Sequence, residues 1–252
     1  MIRQSFIILP RIGIKQERNI WNQGVLDWVG FLNSEVKGIS KQKKAYHNRM
    51  IEKARHSLYT FDSEYFARIL PSAEHWRLYD FFREECCFLD IETSSVADGF
   101  VTMVTIFDGI ETKTMVEGIN LDFKILKKEL QRYKMVVSFN GLTFDQPFLE
   151  KQYPGLFPKL PHFDLKTGCG RLGLKGGLKE VERQLGIKRQ NRVVEEMYGG
   201  DAIKLWRMWR GSGDDCYLKL LVEYNEEDAV NLKRIADYVY LRLKESLLNV
   251  YR

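Results

Sequence analysis

From Cys86 onward the sequence sets out three strands joined by short turns and then alternates strand with helix, an order that few folds admit. Periodicity places strands at 86–92, 101–107 and 112–118, a helix at 121–132, a strand at 134–139, a helix at 143–153 and a short strand at 162–165. Helical patterning dominates the remainder of the chain. A run of hairpins feeding strand–helix units builds an α/β mixed sheet flanked by helices, with the first strand central. Ahead of it, residues 1–75 read as a small helical region, with helices at 16–23, 25–32, 40–57 and 62–69. The sheet domain then occupies 76–252.

Acidic residues fall at the edges of these elements. Asp90 and Glu92 flank Ile91 in F-L-D-I-E-T, so both project to one side of the first strand. Carboxylates placed so repel unless a cation lies between them, and magnesium and manganese prefer oxygen-rich clusters. A strand end whose acids merely face solvent has the same pattern. Asp145 lies in the first turn of the helix after Asn140-Gly141, where the helix dipole favours a carboxylate in any case. Thr143 is positioned to cap that helix. Asn140 can meet a nucleic-acid backbone or simply close the turn. On the helix spanning 218–236, Tyr224 stands one turn before Asp228, on the same face. Such a pair can hold a metal and orient its water, or be a core tyrosine beside a solvated acid. Glu223, Glu226 and Glu227 fall on other faces and read as surface charge.

The ordered set D-x-E, N-G-x-x-F-D and Y-x-x-x-D resembles the three motifs of the DEDD exonuclease superfamily on the ribonuclease H-like fold. The tyrosine in the third motif resembles the DEDDy branch. The linking stretches W-R-L-Y-D-F-F, H-F-D-L-K, G-L-K-G-G-L-K-E-V-E and D-A-I-K-L-W are most similar to YprB-like ribonuclease H-related proteins. The resemblance implies that Asp90, Glu92, Asp145 and Asp228 coordinate two divalent ions, Mg2+ or Mn2+, with Tyr224 beside the attacking water. It implies a metal-dependent 3′→5′ exonuclease acting on single-stranded RNA or DNA. An endonuclease on structured RNA or hybrids, or a binding module that does not cut, are the alternatives.

Charge and composition agree with that reading without selecting it. The net charge is +5, and residues 166–192 hold eight Lys and Arg against Glu180 and Glu182. Within that run Arg171, Lys175 and Lys179, together with Asn140, are the candidate nucleic-acid contacts. Residues 35–56 are similarly basic. Ile8 to Gly13 resembles the turn of a helix-hairpin-helix motif, with Arg11 where glycine is usual. Gly176-Gly177 can let backbone amides approach a phosphate. Asp164 and His162 read as structural. No run approaches a membrane span, no signal peptide is evident, and four cysteines make no C-x-x-C pair. A cytoplasmic, reducing setting is therefore expected.

Overall fold

The computed structural model describes residues 1–197 and 199–248. Helices α1 (Ile14–Trp21), α2 (Trp28–Asn33), α3 (Lys41–Tyr59) and α4 (Ser63–Ile69) come first. A 3-10 turn (Ser72–Leu78) and the short α5 (Tyr79–Phe82) lead into β1 (Cys86–Thr93), β2 (Val101–Phe107) and β3 (Thr112–Val116). Next come α6 (Phe123–Leu130), β4 (Met135–Ser138), α7 (Asp145–Gln152) and β5 (His162–Asp164). Helices α8 (Leu165–Arg171), α9 (Leu178–Leu185), α10 (Arg192–Glu196), α11 (Gly199–Ser212) and the long α12 (Asp215–Leu248) complete the described chain. The strands form one mixed sheet in the order β3-β2-β1-β4-β5, antiparallel from β3 to β1 and parallel from β1 to β5. The expected α/β sheet with β1 at its centre is what forms.

Where an element ends away from its predicted boundary, local hydrogen bonding is the reason. Strand β3 stops at Val116 because its carbonyl collects the amides of Ile119, Asn120 and Leu121, with Gly118 at φ 77. Helix α6 begins at Phe123 because Asp122 accepts from the amides of Lys124 and Ile125 at 2.8 and 3.0 Å. Thr143 does not cap α7. Its hydroxyl donates instead to the carbonyl and side-chain oxygens of Asn140, at 3.2 and 2.7 Å. Asn140 itself is left-handed at φ 68. Gly141 has no room for a side chain, since a Cβ there would lie 2.0 Å from the Ser138 hydroxyl. The N-terminal helices shift by at most three residues from expectation. Arg11 takes φ 65, the conformation glycine would supply, and only the 3-10 turn Ile2–Gln4 precedes it among the described residues.

Alternation along β1 sorts its side chains into two cores. Cys87, Leu89 and Ile91 face Leu126 and Leu130 of α6 and Leu149 of α7. Cys86 and Phe88 face the other way, onto Ala229, Leu232, Ile235, Ala236 and Val239 of α12. Asp90 and Glu92 continue this second face, so α12 is the element that meets them. A third cluster joins Met103 and Val116 to Trp206 of α11 and to Leu221 and Tyr224 of α12. No helix among the described residues is long and apolar enough to cross a membrane.

The N-terminal region joins the same core through apolar residues such as Phe6, Trp28 and Phe31. It is also tied in by buried charge. Glu17 on α1 accepts from the amides of Phe6 and Ile7 at 2.6 and 3.2 Å and from Arg77 Nη1 at 2.9 Å. Arg77 Nε donates to Glu74 at 2.7 Å, and Glu74 also receives Arg171 of α8 at 2.9 Å. The side chains of Arg77 and Glu17 are 1% and 0% exposed. Removing one partner from such a pair leaves an uncompensated charge in the interior. Arg77→Met is therefore expected to cost about 3–5 kcal/mol of unfolding free energy, measured by urea denaturation. A loss within experimental error would show that the network carries no stability.

Candidate metal centre

Helix α12 runs antiparallel to β1 along its second face. Arg83, before the strand, pairs with Asp237 at 2.8 Å, while Asn225 Nδ2 donates to Asp90 at 2.5 Å near the other end. That alignment carries Asp228 to the acids of β1. Asp90, Glu92 and Asp228 each offer an oxygen, and the three oxygens lie within 4.8 Å of one another. Asp145, at the start of α7, is buried and is not part of that triplet. It is close enough for its charge to act on both Asp90 and Glu92. Tyr224 is buried among Met103, Val116 and Trp206, and the charges of Asp228, Glu92 and Asp90 all bear on its phenol.

Several residues complete the centre that sequence patterning did not single out. Arg189, on the turn between α9 and α10, donates to Asp228 and to both oxygens of Glu182. In the sequence it is one cation of a basic run, with nothing to mark it as inward-facing. Asn225 was visible only as a polar residue three positions before Asp228. Of the α12 acids read as surface charge, Glu223 is exposed as expected, while Glu226 and Glu227 are half-buried, and all three are bonded. Glu227 accepts from the amides of Gln190 and Asn191, Glu223 from the Asn191 side chain, and Glu226 from Thr114 on β3.

The candidate nucleic-acid contacts are dispersed. Lys179 Nζ donates to the carbonyls of Val194, Glu195 and Met197 and sits 4.9 Å from the Tyr224 ring centroid. It lines a cavity of about 730 Å³ together with Tyr224 and Asp228. Arg171 lines a different cavity, beside Trp76 and Asp164. Lys175 is exposed. The Asn140 amide donates to Asp164 at 3.3 Å, and Asp164 also accepts from Leu142 and caps α8 through the Thr167 amide. His162 is buried against Ser138 at 2.7 Å, and burial lowers it to about 3, so it stays neutral.

Electrostatics mark the centre as short of positive charge. Burial, reinforced by the charges of Asp228 and Asp145, pushes Asp90 and Glu92 well above the usual carboxylate range. Burial carries Asp145 up to about 7, aided by Asp164 and opposed by nearby backbone amides. Asp228 rises to about 6 through burial even though Arg189 holds it down. Burial and the neighbouring acids raise the Tyr224 phenol further, so it keeps its proton near neutrality. An all-oxygen set compensated chiefly by the Arg189 guanidinium, with Lys179 adding a weaker charge, suits a hard divalent cation, which would be held by Asp90, Glu92 and Asp228.

Residues 87–240, which contain every one of these carboxylates, match the family described as the RNase_H superfamily. The chain belongs to the RNase_H superfamily. Nucleases of this fold use divalent metals, and the acidic triplet on the central strand and α12 is where this member can hold one. Among solved structures, the family B DNA polymerase from the hyperthermophilic archaeon Pyrobaculum calidifontis is similar in part. It shares 17% identity at a TM-score of 0.45, over 65% of this chain and 24% of that one. The chain thus spans about a quarter of that polymerase's length. No curated protein matches the sequence.

The raised acids set a pH dependence. Asp145 and Asp228 bind protons more tightly folded than unfolded, so protonation stabilises the metal-free protein below their folded values of about 7 and about 6. As pH rises from the ordinary carboxylate value of 3.8 to these folded values the buried charges must be carried bare, and stability falls. His162 works oppositely at low pH, so the metal-induced change is the cleaner measure. Manganese is expected to raise the melting temperature more at about pH 7.5 than at about pH 5, by scanning fluorimetry. Equal shifts at both pH values would contradict this assignment of charge.

Proposed function

We propose that the protein is a metal-dependent nuclease, a 3′→5′ exonuclease of the DEDDy type hydrolysing single-stranded RNA or DNA. The observation that carries this reading is the convergence of Asp90, Glu92 and Asp228 within 4.8 Å on an RNase H-like sheet. Tyr224, one turn before Asp228, favours the tyrosine branch, and the stretches linking the motifs favour a YprB-like member. In this reading residues 76–252 are the nuclease domain and 1–75 a helical region attached to it.

The chemistry is attack of water on phosphorus and departure of the bridging oxygen. Two magnesium or manganese ions, when bound, supply a water acidified toward hydroxide and a counter-charge for the leaving oxygen. The protein's own groups do the rest. Asp90, Glu92, Asp145 and Asp228 would hold the ions, and Asn225 fixes the orientation of Asp90 through its 2.5 Å bond. Tyr224, its proton retained, is a poor base, so it holds and aims the attacking water through its phenolic oxygen. In this reading exposed Lys175, beside Gly176-Gly177, follows the strand's phosphates, with Lys179, Arg171 and Asn140 as further, dispersed contacts. A preference between RNA and DNA would rest on contacts to the 2′-hydroxyl.

End-labelled single-stranded oligonucleotides in manganese test the reading, with a circular strand as control, because an exonuclease cannot start on a circle. Asp90→Ala and Asp228→Asn are each expected to lower hydrolysis by roughly a thousandfold or more while the circular dichroism spectrum is unchanged. Activity retained in both would remove the site. Tyr224→Phe should reduce turnover by roughly tenfold to a hundredfold with manganese affinity preserved. An unaltered rate would end its assigned role.

A further inference from the structure

Arg189 is built into the centre more firmly than a basic residue on a turn need be. Its side chain is 2% exposed. Nε donates to Glu182 at 3.0 Å and Nη2 to the same carboxylate at 2.9 and 3.1 Å, while Nη2 also meets Asp228. Glu182 is steadied in turn by Asn231 Nδ2 at 2.9 Å. The turn that carries Arg189 is pinned to α12, with Glu227 taking two of its amides at 3.1 and 3.0 Å. The guanidinium carbon lies 5.4 Å from the Tyr224 ring centroid.

Despite all this the guanidinium is not satisfied. Nη1 is buried and has no hydrogen-bond partner. A buried charged donor left idle is costly, and folded proteins rarely keep one without a use for it. Arg189 also lines the cavity of about 730 Å³ that Tyr224 and Asp228 share. One of its nitrogens is therefore spare, and another rests on a carboxylate that a divalent cation would claim. Guanidinium presents its donors as a planar fork suited to two oxygens of a phosphate.

We infer that Arg189 is the group that grips the scissile phosphate, exchanging Asp228 for a non-bridging phosphate oxygen when Asp228 turns to metal. This rests on the nuclease reading and names the substrate contact of that same site. Two consequences separate it from a purely architectural arginine. Without substrate, the guanidinium competes with cations for Asp228, so removing it tightens metal binding. With substrate, it supplies charged hydrogen bonds to the strand, so removing it loosens nucleic-acid binding. An arginine that only staples the α9–α10 turn to α12 would, on removal, disorder the site and weaken both.

The experiment uses the full chain as wild type, Arg189→Gln and Arg189→Lys. Manganese affinity is measured by calorimetry without nucleic acid. Affinity for a fluorescent single-stranded oligonucleotide is measured by anisotropy, with calcium as the loading ion to slow turnover. For Arg189→Gln, manganese is expected to bind roughly tenfold tighter and the oligonucleotide roughly tenfold to a hundredfold weaker. Arg189→Lys, which keeps the charge but not the fork, should move both in the same directions by less, and decides the matter if the glutamine variant does not fold. Weaker or unchanged manganese binding overturns the exchange, and unchanged oligonucleotide binding overturns the phosphate grip. A wild type that cuts the oligonucleotide no better than either variant overturns this inference alone. A wild type that neither binds nor cuts it overturns the nuclease reading as well.

Discussion

Three carboxylate oxygens within 4.8 Å of one another repel, and the fold must supply what holds them there. It does so by packing. Ala229, Leu232, Ile235, Ala236 and Val239 of α12 bury themselves against Cys86, Phe88 and their neighbours, and this apolar seam fixes the helix along β1. Burial of that seam runs at about 25 cal/mol per Å² of apolar surface, enough in aggregate to outweigh local repulsion. Gly168 makes a related close fit possible on α8, where a Cβ would lie 2.7 Å from Val239. The acids are thus placed by a hydrophobic seam that begins beside them, at Phe88 and Ala229, and runs on along α12 to Val239.

Polar groups then adjust what packing has brought together. Asn225 holds Asp90, Arg189 holds Asp228, and Glu182 holds Arg189. Even so, the four acids remain above the ordinary carboxylate range, which states in another way that the centre lacks positive charge. Tyr224 belongs to both worlds. Its ring packs in the cluster with Met103 and Trp206, while its phenol faces the field of the acids.

The fold was readable because its signals are periodic. Alternation through Cys86–Thr93 and the helical spacing around Asp228 are local properties, and the RNase H-like sheet follows from their order. The acids were readable because a motif fixes each to the end of an element. Arg189, Glu182 and Asn225 were not, since their roles depend on which turn meets which helix. Sequence showed Arg189 among eight cations in 166–192, and nothing local distinguishes it from exposed Lys175. Half-buried Glu227 was misread for the same reason, and the bond made by exposed Glu223 was not visible either. Their partners at 190–191 are more than thirty positions away. Boundary shifts at Val116, Phe123 and Asp145 arose from side-chain and turn hydrogen bonds that override periodicity.

The chain of buried charge from Glu17 through Arg77 and Glu74 to Arg171 crosses from the first helix to the helix after β5. Its consequence is architectural. The opening residues do not hang from the sheet as a detachable appendage, because they supply the acid that neutralises a cation rooted at position 77. A stretch that looks like a separate module when read linearly is, electrically, one half of a pair whose other half lies across the seam.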